Sequence, residues 1–209
     1  MDLSLWLAFA AASTALLLIP GPTVLLVLAY AIGQGRRIAV PTALGVALGD
    51  LVAMSASLAG LGALVLASAT LFTALKWAGA VYLVWLGVRM ILGATSTSLD
   101  LAEAAGTIGP RAAFLNAAAV TALNPKSIVF FIAFVPQFLT PEAPLFGQSA
   151  VLIATFVGLA AVNALAYALL ADRMRAAIKR PNVIAWLTRA GGGALVAMGL
   201  ATAAVRRAG

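Results

Sequence analysis

The chain has 209 residues, 64% of them hydrophobic and only 9% charged, with a mean hydropathy of +1.09; soluble domains carry roughly a quarter charged residues, so the composition indicates a polytopic membrane protein. The 13 Lys and Arg outnumber the 6 Asp and Glu, but most of them sit in short clusters between apolar runs, which is the pattern of bilayer orientation and not of nucleic-acid binding. Cysteine and histidine are absent, which excludes disulfides, thiol redox chemistry, thiolate metal sites and histidine proton relays.

A span needs about 20 apolar residues to cross a hydrocarbon core roughly 30 Å thick. The first runs from Leu3 to Ile32. No positive segment precedes it and no small-residue cleavage site follows a short apolar core, so a retained helix is expected and not a signal peptide. Near its middle stands Pro20-Gly21-Pro22. Proline lacks a backbone donor and clashes with the preceding turn; two of them around a glycine predict unwinding, where one would give a kink. Unwound backbone at membrane depth persists only when buried in protein or lining a wet cavity. The break frees carbonyls before it and leaves amide donors after it, around Thr23 and Val24. Such a helix start favours an anionic group, for example a carboxylate, and Thr23 adds a hydroxyl.

The second span, Ile38–Ala67, contains Gly45 and Gly49, a pair that permits close helix approach, and then Asp50. Asp50 lies about eleven residues in, roughly 16 Å deep. An ionisable group at that depth is costly unless it faces a cavity or a partner, and it is by default a functional candidate. Its expected role is to bind a proton, a cation or the ammonium group of a substrate. A carboxylate neutralised by a lysine, or a shorter span that leaves it near the surface, is the structural alternative.

The third span, Leu71–Leu92, is followed by a polar linker from Gly93 to Pro110 that includes Asp100 and Glu103. This linker divides one transmembrane domain into half-repeats of about 1–95 and 110–209. The fourth span, Ala112–Phe138, is broken at Asn124-Pro125-Lys126. Lys126 is expected either to meet Asp50 or a substrate carboxylate, or to run its stem out to an interface. Phe130, Phe131, Phe134 and Phe138 are expected to pack the core or meet lipid. The fifth span, Leu145–Ala171, carries Gly158 and Asn163; the sixth, Val183–Val205, carries Gly191 and Gly199. Asn163 is read as glue between helices before ligand. Trp6, Trp77, Tyr82, Trp85 and Trp186 fall near span ends, where aromatic residues anchor a protein at the bilayer interface.

The halves share a register. Asp50 follows Gly45 as Asn163 follows Gly158, and Gly87 follows Gly79 as Gly199 follows Gly191. Three spans per half is an odd number, so the second half must enter the membrane upside down. The expected fold is therefore an all-α membrane protein of six transmembrane helices, arranged as two inverted three-helix repeats with helices 1 and 4 broken at proline. Paired breaks of this kind point to a transporter's binding site. The clusters Arg36 and Arg37, Arg89 and Arg111, and Arg173, Arg175, Lys179 and Arg180 are expected to face the cytoplasm, with both termini outside. Arg206 and Arg207 at the far end run against that orientation.

Pro20-Gly21-Pro22, the basic turn Gly35-Arg36-Arg37, the run from Gly45 to Asp50, and Lys76-Trp77-Ala78-Gly79-Ala80-Val81-Tyr82-Leu83 together resemble the LysE/RhtB family of bacterial amino-acid exporters. So does Asn124-Pro125-Lys126-Ser127, continuing through Phe130-Phe131 to Pro136-Gln137-Phe138. Thr23 stands where many members carry an acidic or amide residue. The resemblance implies a multi-pass protein of the bacterial cytoplasmic (inner) membrane that exports amino acids or close derivatives, driven by the proton motive force. It places the substrate or coupling-ion site at Pro20, Gly21, Pro22, Asp50, Asn124, Pro125 and Lys126; Thr23 and Asn163 join that site on the reading of the residues themselves. The implied partners are an amino acid, protons, the lipid bilayer and, as an open alternative, a second copy in a homo-oligomer. No enzymatic activity, cofactor, metal or nucleic acid is expected. An uncoupled channel and a non-transporting scaffold are the competing readings; a membrane electron relay would need paired cysteines, which the chain lacks.

Overall fold

Prolines and glycines set the helix ends. In the computed structural model, which describes residues 2–93, 108–140, 143–178 and 181–204, α1 (Leu3–Leu18) stops at the first break, where Ile19 and Gly21 take extended backbone. Helix α2 (Pro22–Gln34) restarts with proline in its first turn, where the missing amide costs nothing. It ends at Gly35, whose φ of 68° is left-handed and suits only glycine well; the Gly35 amide donates to the Ala31 carbonyl. A 3-10 turn (Gly35–Ile38) leads into α3 (Ala39–Ala67), and α4 (Ala69–Gly93) follows. The Ser68 hydroxyl accepts from the Leu71 amide at 3.1 Å and so caps the first turn of α4.

The second half begins with α5 (Pro110–Ala122) and continues after the second break with α6 (Pro125–Ala133) and a 3-10 turn at Val135–Phe138. The two arms of this broken element are bent by 46°. Two long helices complete the described chain, α7 (Leu145–Ile178) and α8 (Pro181–Ala204). No strand occurs among the described residues. The expected ends hold within a few residues except at α7, which continues past Ala171 to Ile178. The segment with Arg173 and Arg175, expected as a connection, is helical instead, because Ala, Met and Arg all favour helix. The linker residues 94–107, and Lys179, Arg180, Arg206 and Arg207, lie outside the described residues.

By length and apolarity, Thr73–Gly93, Leu145–Ala171 and the stretch from Pro22 to Leu61 can each cross a bilayer, and the bent pair of α5 and α6 makes a fourth if counted as one span. Helix α1 is apolar but shorter. Trp77, Val81 and Trp85 of α4, Val162 of α7 and Trp186 of α8 are exposed. An apolar outer surface of this kind suits lipid and not water. Trp85 also lies under the Arg89 guanidinium, 5.1 Å from the ring centre.

Helices α4 and α8 pack side by side, α3 packs between α5 and α7, and α1 and α2 lie against α7. Glycine permits the closest approaches. A side chain at Gly45 would run into the Phe114 carbonyl, and one at Gly49 would lie 2.6 Å from the Ala118 carbonyl. On the α4–α8 seam, a side chain at Gly87 would strike Gly192 and Val196, and one at Gly199 would strike Ala80 and Val84. Ala80 and Val84 stand seven and three residues before Gly87; Gly192 and Val196 stand seven and three before Gly199. The two sides of the seam therefore match residue for residue. Gly158 does not pack as Gly45 does, since nothing lies within 4 Å of its Cβ position; α7 packs against α1, α2 and α3, and its Ala160, Ala164 and Ala168 are buried.

The core holds an aromatic cluster that spans both halves. Phe130 stacks on Phe134 at 5.0 Å, Phe131 meets Phe156 edge-on at 4.8 Å, and Phe9 meets Phe138 at 5.3 Å. Phe130, Phe131, Phe134 and Phe138 are all buried, so they pack the core and do not meet lipid. Such pairs add about 0.5–1.5 kcal/mol each beyond their buried area, which fixes α6 beside α7 and the following 3-10 turn beside α1.

Candidate functional site

In an unbroken helix each amide donates to the carbonyl four residues back. Pro20 and Pro22 have no amide, so the carbonyls of Leu16 and Leu18 lose their helical donors. The extended backbone at Ile19 and Gly21 carries away the amides that would have served Leu17 and Ile19. Buried carbonyls left without a partner are costly, and here side chains from the other half of the chain serve all four. The Lys126 ammonium donates to the Leu16 and Ile19 carbonyls, both at 3.1 Å. Asn163 Nδ2 donates to the Leu17 carbonyl at 3.1 Å, and the Tyr167 hydroxyl to the Leu18 carbonyl at 3.2 Å. The last turn of α1 tightens as well, with the Ile19 amide reaching the Leu16 carbonyl at 3.2 Å. A helix C-terminus carries partial negative charge, so a lysine is the fitting cap.

The second break faces the first. Asn124 caps α6, its Oδ1 accepting from the Lys126 amide at 3.1 Å. The other side of the same amide group donates to the Thr23 hydroxyl at 3.2 Å. Thr23 Oγ1 also lies 3.3 Å from the Thr121 hydroxyl. The starts of α2 and α6 are thus tied to each other, and Asn124 uses both ends of its side chain to do it.

A cavity of about 30 Å³ opens between these breaks, lined by Thr23, Asp50, Asn124, Lys126, Asn163 and Tyr167, among others. It has room for about two waters and is too small for an amino acid. Asp50 is 2% exposed, and no hydrogen-bond donor among the described residues reaches its carboxylate. Its counter-charge is Lys126, which lines the same cavity and acts on it electrostatically. Lys126 is itself 8% exposed. It does not run out to an interface: its ammonium is spent on the α1 carbonyls.

Five of the residues singled out from the sequence therefore meet at one place: Thr23, Asp50, Asn124, Lys126 and Asn163. Pro20, Pro22 and Pro125 do not line the cavity and act through the breaks they cause. Gly21 lies beside Lys126; a Cβ there would sit 3.3 Å from its Nζ. Asn163 ties α7 to α1, in the gluing role read from the sequence. Tyr167, Thr121 and Ser127 also belong to this neighbourhood and were not singled out. Tyr167 was findable, since it stands four residues after Asn163 and must share its helix face.

The LysE type translocator family model matches residues 14–205 of the chain. Over 208 residues the chain is 36% identical to the homoserine/homoserine lactone efflux protein of Salmonella typhimurium, covering all of both proteins. It is 32% identical over 211 residues to an uncharacterized membrane protein of Vibrio cholerae, covering 99% of this chain and 100% of that one. It is 36% identical over 140 residues to the leucine efflux protein of Salmonella choleraesuis, covering 67% of this chain and 66% of that one. No solved structure matches the chain.

Proposed function

The chain belongs to the LysE family of translocators, and on that premise we propose that it exports a small amino acid or a close derivative across the bacterial cytoplasmic membrane in exchange for protons. The observation that carries this reading is the buried Asp50, unreached by any hydrogen-bond donor among the described residues and facing a cavity at the meeting point of two broken helices. The start of α2 at Thr23 and Val24 borders the same cavity and offers amide donors to a carboxylate. Asp50 on the other wall offers a negative charge to an ammonium group. A zwitterion has both ends, and homoserine and leucine, which appear in the names of two relatives, the homoserine/homoserine lactone and leucine efflux proteins, are such molecules.

In this reading the six spans are α1 with α2, α3, α4, α5 with α6, α7 and α8, as two inverted repeats. The matched contacts across the α4–α8 seam support it, as does the shared break in the first element of each half. Arg36 and Arg37 after α2, Arg89 near the end of α4 and Arg111 at the start of α5 fall on the cytoplasmic side, with the termini opposite. The cavity is too small for substrate as it stands, so loading requires the halves to part. Asp50 takes a proton on one side and gives it up on the other as the halves rock.

The test is uptake of labelled homoserine, leucine and other amino acids into inside-out vesicles, with and without an imposed proton gradient. Gradient-dependent accumulation of at least one amino acid is expected. Equal uptake with and without the gradient would mean an uncoupled channel.

A further inference from the structure

The Leu16 and Ile19 carbonyls at the end of α1 share one occupant, the Lys126 ammonium. An unwound helix end of this kind, with carbonyls freed from backbone pairing, is a natural place for a small cation. The chain fills it with a charge of its own. Two of the three ammonium protons of Lys126 go to the Leu16 and Ile19 carbonyls, and Lys126 and Asp50 border the same cavity. Ser127 and Asn163 border it too and bring further oxygens. Gly21 keeps the approach clear, for a side chain there would press on the ammonium at 3.3 Å.

We infer that Lys126 is a tethered cation seated in a monovalent-cation site built from the Leu16 and Ile19 carbonyls, with the Asp50 carboxylate on the same cavity as its counter-charge. Removing its side chain exposes that site to a free monovalent cation of the size of Na+ or methylammonium. The tether explains why this lysine is buried at the break and held by backbone carbonyls and not by a carboxylate. A free cation binds and leaves with its concentration. A tethered one stays, so the site is always filled and the surrounding backbone always served. This inference rests on the geometry at the end of α1 and is independent of what the protein exports.

The experiment compares the full-length protein, purified in detergent, as wild type, Lys126→Ala and Lys126→Gln. Thermal unfolding is followed in NaCl, in methylammonium chloride and in N-methylglucamine chloride at equal ionic strength. For Lys126→Ala, Na+ or methylammonium should raise the melting temperature saturably by about 3–6 °C over the bulky cation. Wild type should not respond, because its site is filled. Lys126→Gln should not respond either, because its amide can donate to the same carbonyls. A Lys126→Ala protein indifferent to the small cations overturns the inference, as does an equal gain in wild type or in Lys126→Gln. If Lys126→Ala yields folded protein only when extracted with Na+ or methylammonium, that dependence supports the site. If no cation recovers it, the inference fails. None of these readings involves transport, so they leave the export proposal to its own test.

Discussion

The side-chain amide of Asn124 donates to the Thr23 hydroxyl at 3.2 Å, joining the first turns of two half-helices 101 residues apart in the chain. The same group caps α6 through its oxygen. The two functions can be separated. Asn124→Ser keeps a capping oxygen but is too short to reach Thr23, whereas Asn124→Ala loses both. Alanine should cost about 1 kcal/mol of stability, serine only a few tenths. Both should slow export at least several-fold, because the two breaks are no longer held together. Denaturation in detergent and vesicle uptake measure the two effects independently.

Asn163 and Tyr167 each serve one carbonyl at the end of α1. Interhelical hydrogen bonds inside membranes average about 0.6 kcal/mol, with larger values near 1.7. Asn163→Ala should fall near the upper figure, because its carbonyl partner is left without a donor beside the cavity. Tyr167→Phe should fall at or below the average, since that bond is the more exposed one. Thermal or denaturant unfolding of the purified variants checks the order.

The seam between α4 and α8 should resist any side chain at Gly87. Gly87→Ala drives a methyl group into the Gly192 backbone, which cannot give way as a rotamer would, and overpacking of this kind costs about 1–3 kcal/mol. Gly158→Ala is the control. It has open space, and alanine gains up to about 1 kcal/mol of helix propensity over glycine. One variant should melt below wild type and the other at or above it.

Asp50→Asn should abolish gradient-driven export and leave the protein folded. Its volume is nearly unchanged and no hydrogen bond to its carboxylate is lost, but the buried Lys126 loses its counter-charge, so the variant should melt below wild type while remaining folded. Export that persists at wild-type rates in a gradient would remove Asp50 from the coupling. The assay is the same inside-out vesicle uptake, run beside a melting curve of the purified variant.

The helix breaks were legible because proline acts locally: a missing amide at positions 20, 22 and 125 ends a helix whatever surrounds it. Asp50 was legible for a related reason, since a carboxylate amid a long apolar run must face something polar. The partner of Lys126 was not. Asp50 and the α1 carbonyls both suit an ammonium, and only the tertiary fold decides which one receives its hydrogen bonds. Gly45 and Gly158 share a register, yet only Gly45 sits at a close approach, because glycine in a sequence marks a permitted approach and not an actual one. Tyr167 went unnoticed because an aromatic residue in an apolar helix looks like packing until the carbonyl it reaches is known. The extension of α7 to Ile178 was hidden by its charges, which marked a connection but did not interrupt the helical backbone.

Pro20 and Pro22 withhold the amides that would recapture the Leu16 and Leu18 carbonyls in a continuous helix. No rearrangement of neighbouring helices can restore those two hydrogen bonds, for the missing donors are covalent and belong to every shape the molecule takes. What a conformational cycle can alter is only the tenancy of those oxygens. Any motion at this point is a change of tenant, with the vacated rung left standing for the next.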